Sequence, residues 1–379
     1  MSFCVINGLS LKSPNDSEIQ VVMRGKTVKI SRISGVVAFV AATGLALSGC
    51  AAPAATPTVT PVDFKACAVS DEGSWNDKSF NESVYTGLMQ AKTELGVETA
   101  DAESASAEAF EPNLQQMIDA GCDLTIAVGF NLVASVNAAA KANPEVHFVT
   151  VDGWSEGNAN LKPIQYDMTQ SSFLAGYLAA AYSKTHVVGT YGGMQIDSVT
   201  AFMTGFYNGA KKYEADSGVA TKVVGWDPAK SKGDFMGDFA PNSAVSKTIA
   251  ATQIKNGADV IMPVAGEQLG ALSEAIKASG KDVVMIGVDS DRAVNSPEYA
   301  PLLLTSVEKR MTKAVYDIIK GLAIDGAEFS GDAYLGTLEN TGTGLSPFHD
   351  FEDKVSDETK TKLEELTAAI IAGEIDPTK

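Results

Sequence analysis

From residue 63 onward the apolar positions fall into two alternating patterns. Short, mostly apolar runs bounded by Gly, Asp, Asn, Ser or Pro predict buried strands near 64–69, 97–101, 123–128, 146–151 and 162–166. Longer stretches with apolar residues three and four apart predict helices near 78–94, 109–120, 131–142 and 171–184. A second series starts at His186, with strands near 186–191, 222–226, 259–264 and 283–288 and helices near 197–215, 243–256 and 267–280. A further strand, Leu302 to Val307, and a helix to about Ile324 follow, and the tail ends in a polar amphipathic helix near 356–373. Strand and helix alternate almost throughout, so the fold class is α/β with mostly parallel sheets.

The turn between the first strand and the first helix is polar with large aromatics: Ser74, Trp75, Asn76, Asp77, Ser79, Phe80 and Asn81. A loop at a strand's carboxyl end that opens a helix can bind a small molecule, because free backbone N–H groups, side-chain acceptors and an aromatic face converge there. An ordinary helix start, with Asp77 or Asn76 as N-cap and Phe80 opening the apolar stripe, reads equally well from this stretch alone.

The two series repeat one unit. Gly121-Cys122-Asp123-Leu124 opens a strand that ends at Gly129, and a helix and a second strand then lead to Asp152. Gly257-Ala258-Asp259-Val260 opens a strand that ends at Gly266, and the same sequence of elements leads to Asp289. Ligands of open α/β sheets bind beyond the carboxyl ends of the strands. Two such lobes facing each other place Asp152 and Asp289 across one cleft. Lys309 lies just past the Leu302–Val307 strand, near a helix start where a cation is slightly unfavourable, and so calls for an anionic or ligand partner.

Residues before 63 follow neither pattern. From Met23 the chain runs Met-Arg-Gly-Lys-Thr-Val-Lys-Ile-Ser-Arg, then a small-residue apolar stretch from Ile33, then Leu47-Ser48-Gly49-Cys50. This is a secretory signal, expected to start at Met23, and its ending resembles the bacterial lipobox, in which the Cys is lipidated and becomes the new N-terminus. Residues 51–62 are small and Pro-rich and predict an extended tether. The expected location is therefore the extracytoplasmic face of the cell membrane, held by a lipid on Cys50.

Charge narrows the function. The chain carries −18, and removing the net +3 of residues 1–50 leaves −21. So acidic a body argues against nucleic-acid binding. Two cysteines remain after processing, Cys67 in the first strand and Cys122 at the start of the 123–128 strand. Those strands are neighbours in a doubly wound sheet and export permits oxidation, so a Cys67–Cys122 disulfide is expected. With three His and no close Cys/His spacing, no metal site is expected. The chain has no Walker loop, no Gly-x-Gly-x-x-Gly after a strand and no His-Glu-x-x-His. With no nucleophile–base pair in view, a non-enzymatic binder without cofactor is the expectation.

Several motifs, in order, resemble the basic-membrane-protein family, the purine-nucleoside-receptor-like lipoproteins of bacterial ABC importers. They are Asn76-Asp77-Lys78-Ser79-Phe80-Asn81, the Ser171 to Leu178 helix, Val188-Gly189…Gly192-Gly193-Met194…Phe202…Gly205-Phe206, Gly257 to Ile261, Ile286-Gly287-Val288-Asp289 and Leu304-Thr305-Ser306-Val307…Lys309-Arg310. The resemblance covers roughly 64–325 and implies a type I periplasmic-binding-protein fold: two Rossmann-like lobes joined by three crossing strands and closing over a ligand. The lobes are expected at 63–167 with 290–327, and at 168–289 with 328–379. It implies Asn76 and Asp77 as base-recognising groups and Phe80 as one face of an aromatic sandwich, with Phe206 or Phe202 as the other. It puts Gly129 and Phe130 at the cleft, and Gly266, Asp289 and Lys309 on the ribose, with Asp152 at a first-lobe strand end. Two residues depart from the pattern: Trp75 is bulky beside the pocket, and Glu267 is an acid where a small residue is expected. The implied function is a lipid-anchored substrate-binding protein, monomeric, that takes a nucleoside, expected to be a purine, to an ABC permease and its ATPase. A receptor for a sugar or sugar-derived signal, and a sensory receptor without transport, are the alternatives.

Overall fold

The computed structural model describes residues 60–379, together with the backbone of a short antiparallel hairpin, Val21–Met23 paired with Lys26–Val28. The remainder of the signal segment, Cys50 and the tether up to residue 59 lie outside the described residues. Val62 N–H donates to Gly96 O at 3.0 Å.

The apolar runs become two six-stranded sheets. The first contains β1 (Lys65–Val69), β2 (Glu98–Ala102), β3 (Leu124–Val128), β4 (His147–Val151) and β5 (Leu161–Tyr166). The second contains β6 (Val187–Gly192), β7 (Lys222–Val224), β8 (Val260–Val264), β9 (Val284–Asp289) and β10 (Leu303–Lys309). Two short strands from the tail complete them: β11 (Tyr334–Gly336) beside β5, and β12 (Thr343–Leu345) beside β10. The strand orders are β11-β5-β4-β3-β1-β2 and β12-β10-β9-β8-β6-β7. Each sheet therefore has the same doubly wound 2-1-3-4-5 core, parallel throughout, and only β12 runs antiparallel. The repeat read in the sequence is a repeat of topology.

Helices cover both faces of each sheet. On the first sheet α1 (Phe80–Leu95) and α9 (Met311–Ala323) share one core, where Val84 and Leu88 meet Met311, Val315 and Ile319. α2 (Phe110–Asp119) and α3 (Val133–Ala142) cover the other face with Leu114, Met117 and Val136. On the second sheet α4 (Met168–Tyr182), α5 (Asp197–Ser217) and α10 (Asp357–Ile371) form one layer. α6 (Ala244–Lys255) and α7 (Leu269–Ser279) form the other. A one-turn helix, α8 (Arg292–Asn295), follows β9.

The chain passes between the sheets three times: from β5 to α4, from β10 to α9, and from β11 to β12. Two segments fall on the other side from the ranges expected. β10 lies in the second sheet, although 290–327 was assigned to the first lobe, and only α9 of that range packs there. β11 lies in the first sheet, although 328–379 was assigned to the second lobe. The reason is physical. β10 is buried on both faces, so its apolar run does not reveal which sheet receives it, and β11, three residues long and half exposed at Leu335, is too short to carry a pattern.

α4 and α5 approach closely because glycines face backbone. A Cβ at Gly209 would lie 1.8 Å from Phe173 O, and one at Gly176 would lie 1.9 Å from Phe206 O. A disulfide joins Cys67 of β1 to Cys122, which precedes the adjacent β3, with Cα atoms 6.0 Å apart.

Candidate functional site

The carboxyl ends of both sheets face a single cavity of about 420 Å³. That volume is in the usual range for small-molecule sites. Strand ends build it. β3 leads to Gly129, β4 leads to Asp152, β8 leads to Gly266, β9 ends at Asp289 and β10 ends at Lys309, and all five residues line the cavity. The repeat extends to backbone conformation. Asp152 and Asp289 both have positive φ, 56° and 71°, and so do Gly129 and Gly266, at 105° and 68°. Asp is among the few residues that enter this region readily, because its short polar side chain can bond locally.

The two walls are tied across the cavity. Lys309, only 3% exposed, reaches from the second sheet to donate to Asp152 Oδ2 at 2.6 Å. Its ammonium lies 5.4 Å from the Phe80 ring, 5.7 Å from Tyr166 and 5.3 Å from Phe202. This aromatic cage offsets the cost of burying the cation. Asp289 receives the Ser79 hydroxyl at 2.7 Å. Burial pushes the Asp289 carboxyl above its ordinary value, against the pull of Lys309 and the Ser79 hydrogen bond. The Lys309 ammonium thus bonds Asp152 and acts on Asp289 only through space, while Ser79 bonds Asp289.

At the other end of the cavity the loop after β1 presents a set of acceptors. Asp71 Oδ1 accepts from Gly73 N and from Asn81 Nδ2, both at 2.9 Å, while no donor meets Oδ2 among the described residues. Burial raises the Asp71 carboxyl to about 6, only partly opposed by those two hydrogen bonds. Asn81 Oδ1 is buried without a partner. Asp77 is differently employed. Its two oxygens accept from the backbone N–H groups of Ser79, Asn81 and Glu82 at 2.9, 2.9 and 3.0 Å. It therefore caps α1 while also lining the cavity. Burial raises its carboxyl as well, opposed by those backbone donors.

A family model described as "ABC transporter substrate-binding protein PnrA-like" matches residues 64–377. The chain belongs to this family. It is 30% identical to the ABC transporter nucleoside-binding protein BmpA of Lactococcus lactis, over 91% of this chain and 98% of that one. It is also 30% identical to basic membrane protein A of Borreliella burgdorferi, over 80% of this chain and 85% of that one. Among solved structures, it is similar to an ABC transporter solute-binding protein from Aeropyrum pernix, with TM-score 0.73, 24% identity and coverage of 83% of this chain and 92% of that one. One from Conexibacter woesei has TM-score 0.64, 21% identity and coverage of 83% and 98%. The fold is thus the type I periplasmic-binding-protein fold expected. The protein is an ABC transporter substrate-binding protein of the BmpA/PnrA type and not an enzyme. Such proteins work on the extracytoplasmic side, and no described helix is long and apolar enough to cross a membrane.

Within this PnrA-like cavity the structure gathers Asp77, Phe80, Gly129, Phe130, Asp152, Phe202, Gly266, Asp289 and Lys309. Asn76 and Phe206 are not among its lining residues. Asn76 is exposed on the outer side of the turn, where its N–H meets Ser74 Oγ. Phe206 is fully buried in the α4–α5 core, at the glycine contact that lets those helices meet. Trp75 does not crowd the pocket either. It stacks on Tyr85 with ring centroids 5.1 Å apart and donates its indole N–H to Asp101, away from the cavity. Glu267 does line the cavity, and its charge is met by the buried Arg292.

Sequence reasoning missed three lining residues that matter: Asp71, Asn81 as an acceptor, and Phe239. Phe239 sits in an irregular loop, 237–241, that carries no period to read. Asp71 and Asn81 flank the turn between β1 and α1, and the signal overlooked there was a carboxylate and an amide on either side of a strand-to-helix turn.

Proposed function

We propose that the cavity binds a purine nucleoside, with the base between Phe80 and Phe239 and the ribose at Asp289, Asp152 and Lys309. One observation carries this reading. A single cavity combines aromatic rings on both walls with open acceptors at one end: Asn81 Oδ1, buried without a partner, and Asp71 Oδ2, which meets no donor among the described residues. A flat heteroaromatic ring bearing N–H donors supplies both needs. Phe239, 38% exposed, offers a free face on the second wall, whereas Phe202, 2% exposed, already faces Lys309. Vicinal hydroxyls suit the other end, where carboxylates accept and Lys309 holds one of them in place. The nucleoside-binding name of the Lactococcus lactis relative agrees with this reading.

The protein would be anchored by a lipid on Cys50, act as a monomer, and deliver its nucleoside to an ABC permease and ATPase. Calorimetry on unfolded and refolded protein tests the cargo, against adenosine, guanosine, inosine, cytidine, uridine, ribose, galactose and AMP. Tight binding of at least one purine nucleoside, with ribose and galactose silent, is expected. Sugar binding with all nucleosides silent would overturn the reading.

A further inference from the structure

Glu267 and Arg292 form an ion pair that neither the fold nor the binding scheme above requires. Glu267 directly follows Gly266 on the second wall and lines the cavity. Arg292, in α8 just past Asp289, is 1% exposed and is the largest of the fully buried side chains among the described residues. Its Nη2 bonds Glu267 Oε2 and also Ser296 Oγ, the latter at 3.1 Å. Its Nε and Nη1 are buried with no partner at all. Among the described residues no hydrogen bond engages Glu267 Oε1.

Charge around the cavity makes this pair consequential. Asp71, Glu72, Asp77, Asp152, Asp238, Glu267 and Asp289 line the cavity, while the single lining cation is Lys309, already bonded to Asp152. Arg292 is therefore a buried cation with donors to spare, and its partner Glu267 lines the cavity while Arg292 itself does not. A guanidinium with open N–H groups is a phosphate receptor, and a carboxylate placed over it turns the same position into an acceptor for hydroxyls. A fixed carboxylate also repels a phosphate in a site from which water is excluded.

We propose that Glu267, held by Arg292, is the specificity-determining residue that admits the free 5′-hydroxyl of a nucleoside and bars the 5′-phosphate. This rests on the nucleoside reading above. Once the vicinal hydroxyls lie at Asp289 and Asp152, the 5′-hydroxyl is the remaining sugar donor, and Glu267 Oε1 is an open acceptor on that wall, next to the Gly266 strand end. Specificity here is built by opposition as well as by attraction. The ion pair accordingly sets the ligand class, unphosphorylated against phosphorylated, and leaves the choice of base to the opposite end.

The test is binding of guanosine, adenosine and their 5′-monophosphates to three proteins, with thermal melting in parallel. Wild type should bind a nucleoside and reject its monophosphate. Glu267→Gln should bind the nucleoside about tenfold more weakly and acquire monophosphate binding that weakens with salt. The double variant Glu267→Gln with Arg292→Met removes both charges, so it should keep its fold and lose the acquired monophosphate binding. If Glu267→Gln alone melts too low to assay, the double variant still decides: a nucleoside affinity equal to wild type overturns the proposal. Glu267→Gln that binds nucleosides as wild type does and still rejects monophosphates overturns it too, and so does monophosphate binding that survives in the double variant. Wild type silent to every nucleoside would instead remove the nucleoside reading itself, and this inference with it.

Discussion

In the proposed pose the Asp71 carboxylate ties stability to recognition. Desolvation raises it to about 6, above its ordinary 3.8, so the folded, empty protein holds this proton more tightly than the unfolded chain does. The stability it contributes is full below about 4 and is lost as pH rises through about 6. Asp71→Asn has no such loss, so at pH 7 it should melt a few degrees higher than wild type, with the gain vanishing toward pH 4. Binding should move the other way. The ionised form accepts base N–H groups, so the affinity of wild type for inosine should fall as pH drops through about 6, and Asp71→Asn should lose that pH dependence; an unchanged profile would deny Asp71 contact with the base. A second contrast at this scale separates two phenylalanines. Phe239→Ala should weaken nucleoside binding about tenfold or more with little change in melting. Phe206→Ala should lower melting sharply, because it empties a fully buried site in the α4–α5 core.

At the scale of elements, Asp77 separates capping from recognition. Three backbone N–H groups at the start of α1, those of Ser79, Asn81 and Glu82, converge on its carboxylate, so Asp77→Ala should cost about 1–2 kcal/mol of stability and reduce affinity mainly through loss of order in the turn. A melting point unchanged from wild type with binding abolished would make it a ligand contact instead. Both readings of the opening stretch thus hold a part of the truth: Asp77 is the cap of an ordinary helix start, and the turn it caps lines the cavity. Element existence was legible in the sequence because period and bounding turn residues are local. Gly129, Gly266, Asp152 and Asp289 were legible because the same unit occurs twice, and each copy ends at the cavity. Asp71's free oxygen, Phe239 in its irregular loop and the Glu267–Arg292 pair were not, since each depends on a long-range meeting that no local pattern encodes. The placement of β10 and β11 failed for the same reason, as neither a fully buried strand nor a three-residue one announces its partner.

At the scale of the molecule, two sheets of one topology meet at strand ends, and three crossings join them. Both cross-cavity bonds, Lys309 to Asp152 and Ser79 to Asp289, are made by residues within one or two positions of a strand or helix end. Such residues can trade partners when the walls separate, so binding is expected to shift a population of arrangements rather than to deform either lobe. The acidic body is consistent with a protein held near a membrane by a lipid rather than by charge. Cys50→Ala should therefore release the protein from the membrane fraction without altering nucleoside affinity; continued membrane association would remove the anchor from the account.

The most direct measurement is a crystal structure of the refolded protein with bound inosine. The base should lie between Phe80 and Phe239 with its N–H edge on Asp71 and Asn81, and the ribose should lie against Asp289, Asp152 and Lys309. A nucleoside outside this cavity, or one bound with its ribose at Asp71 and its base at Lys309, would contradict the account.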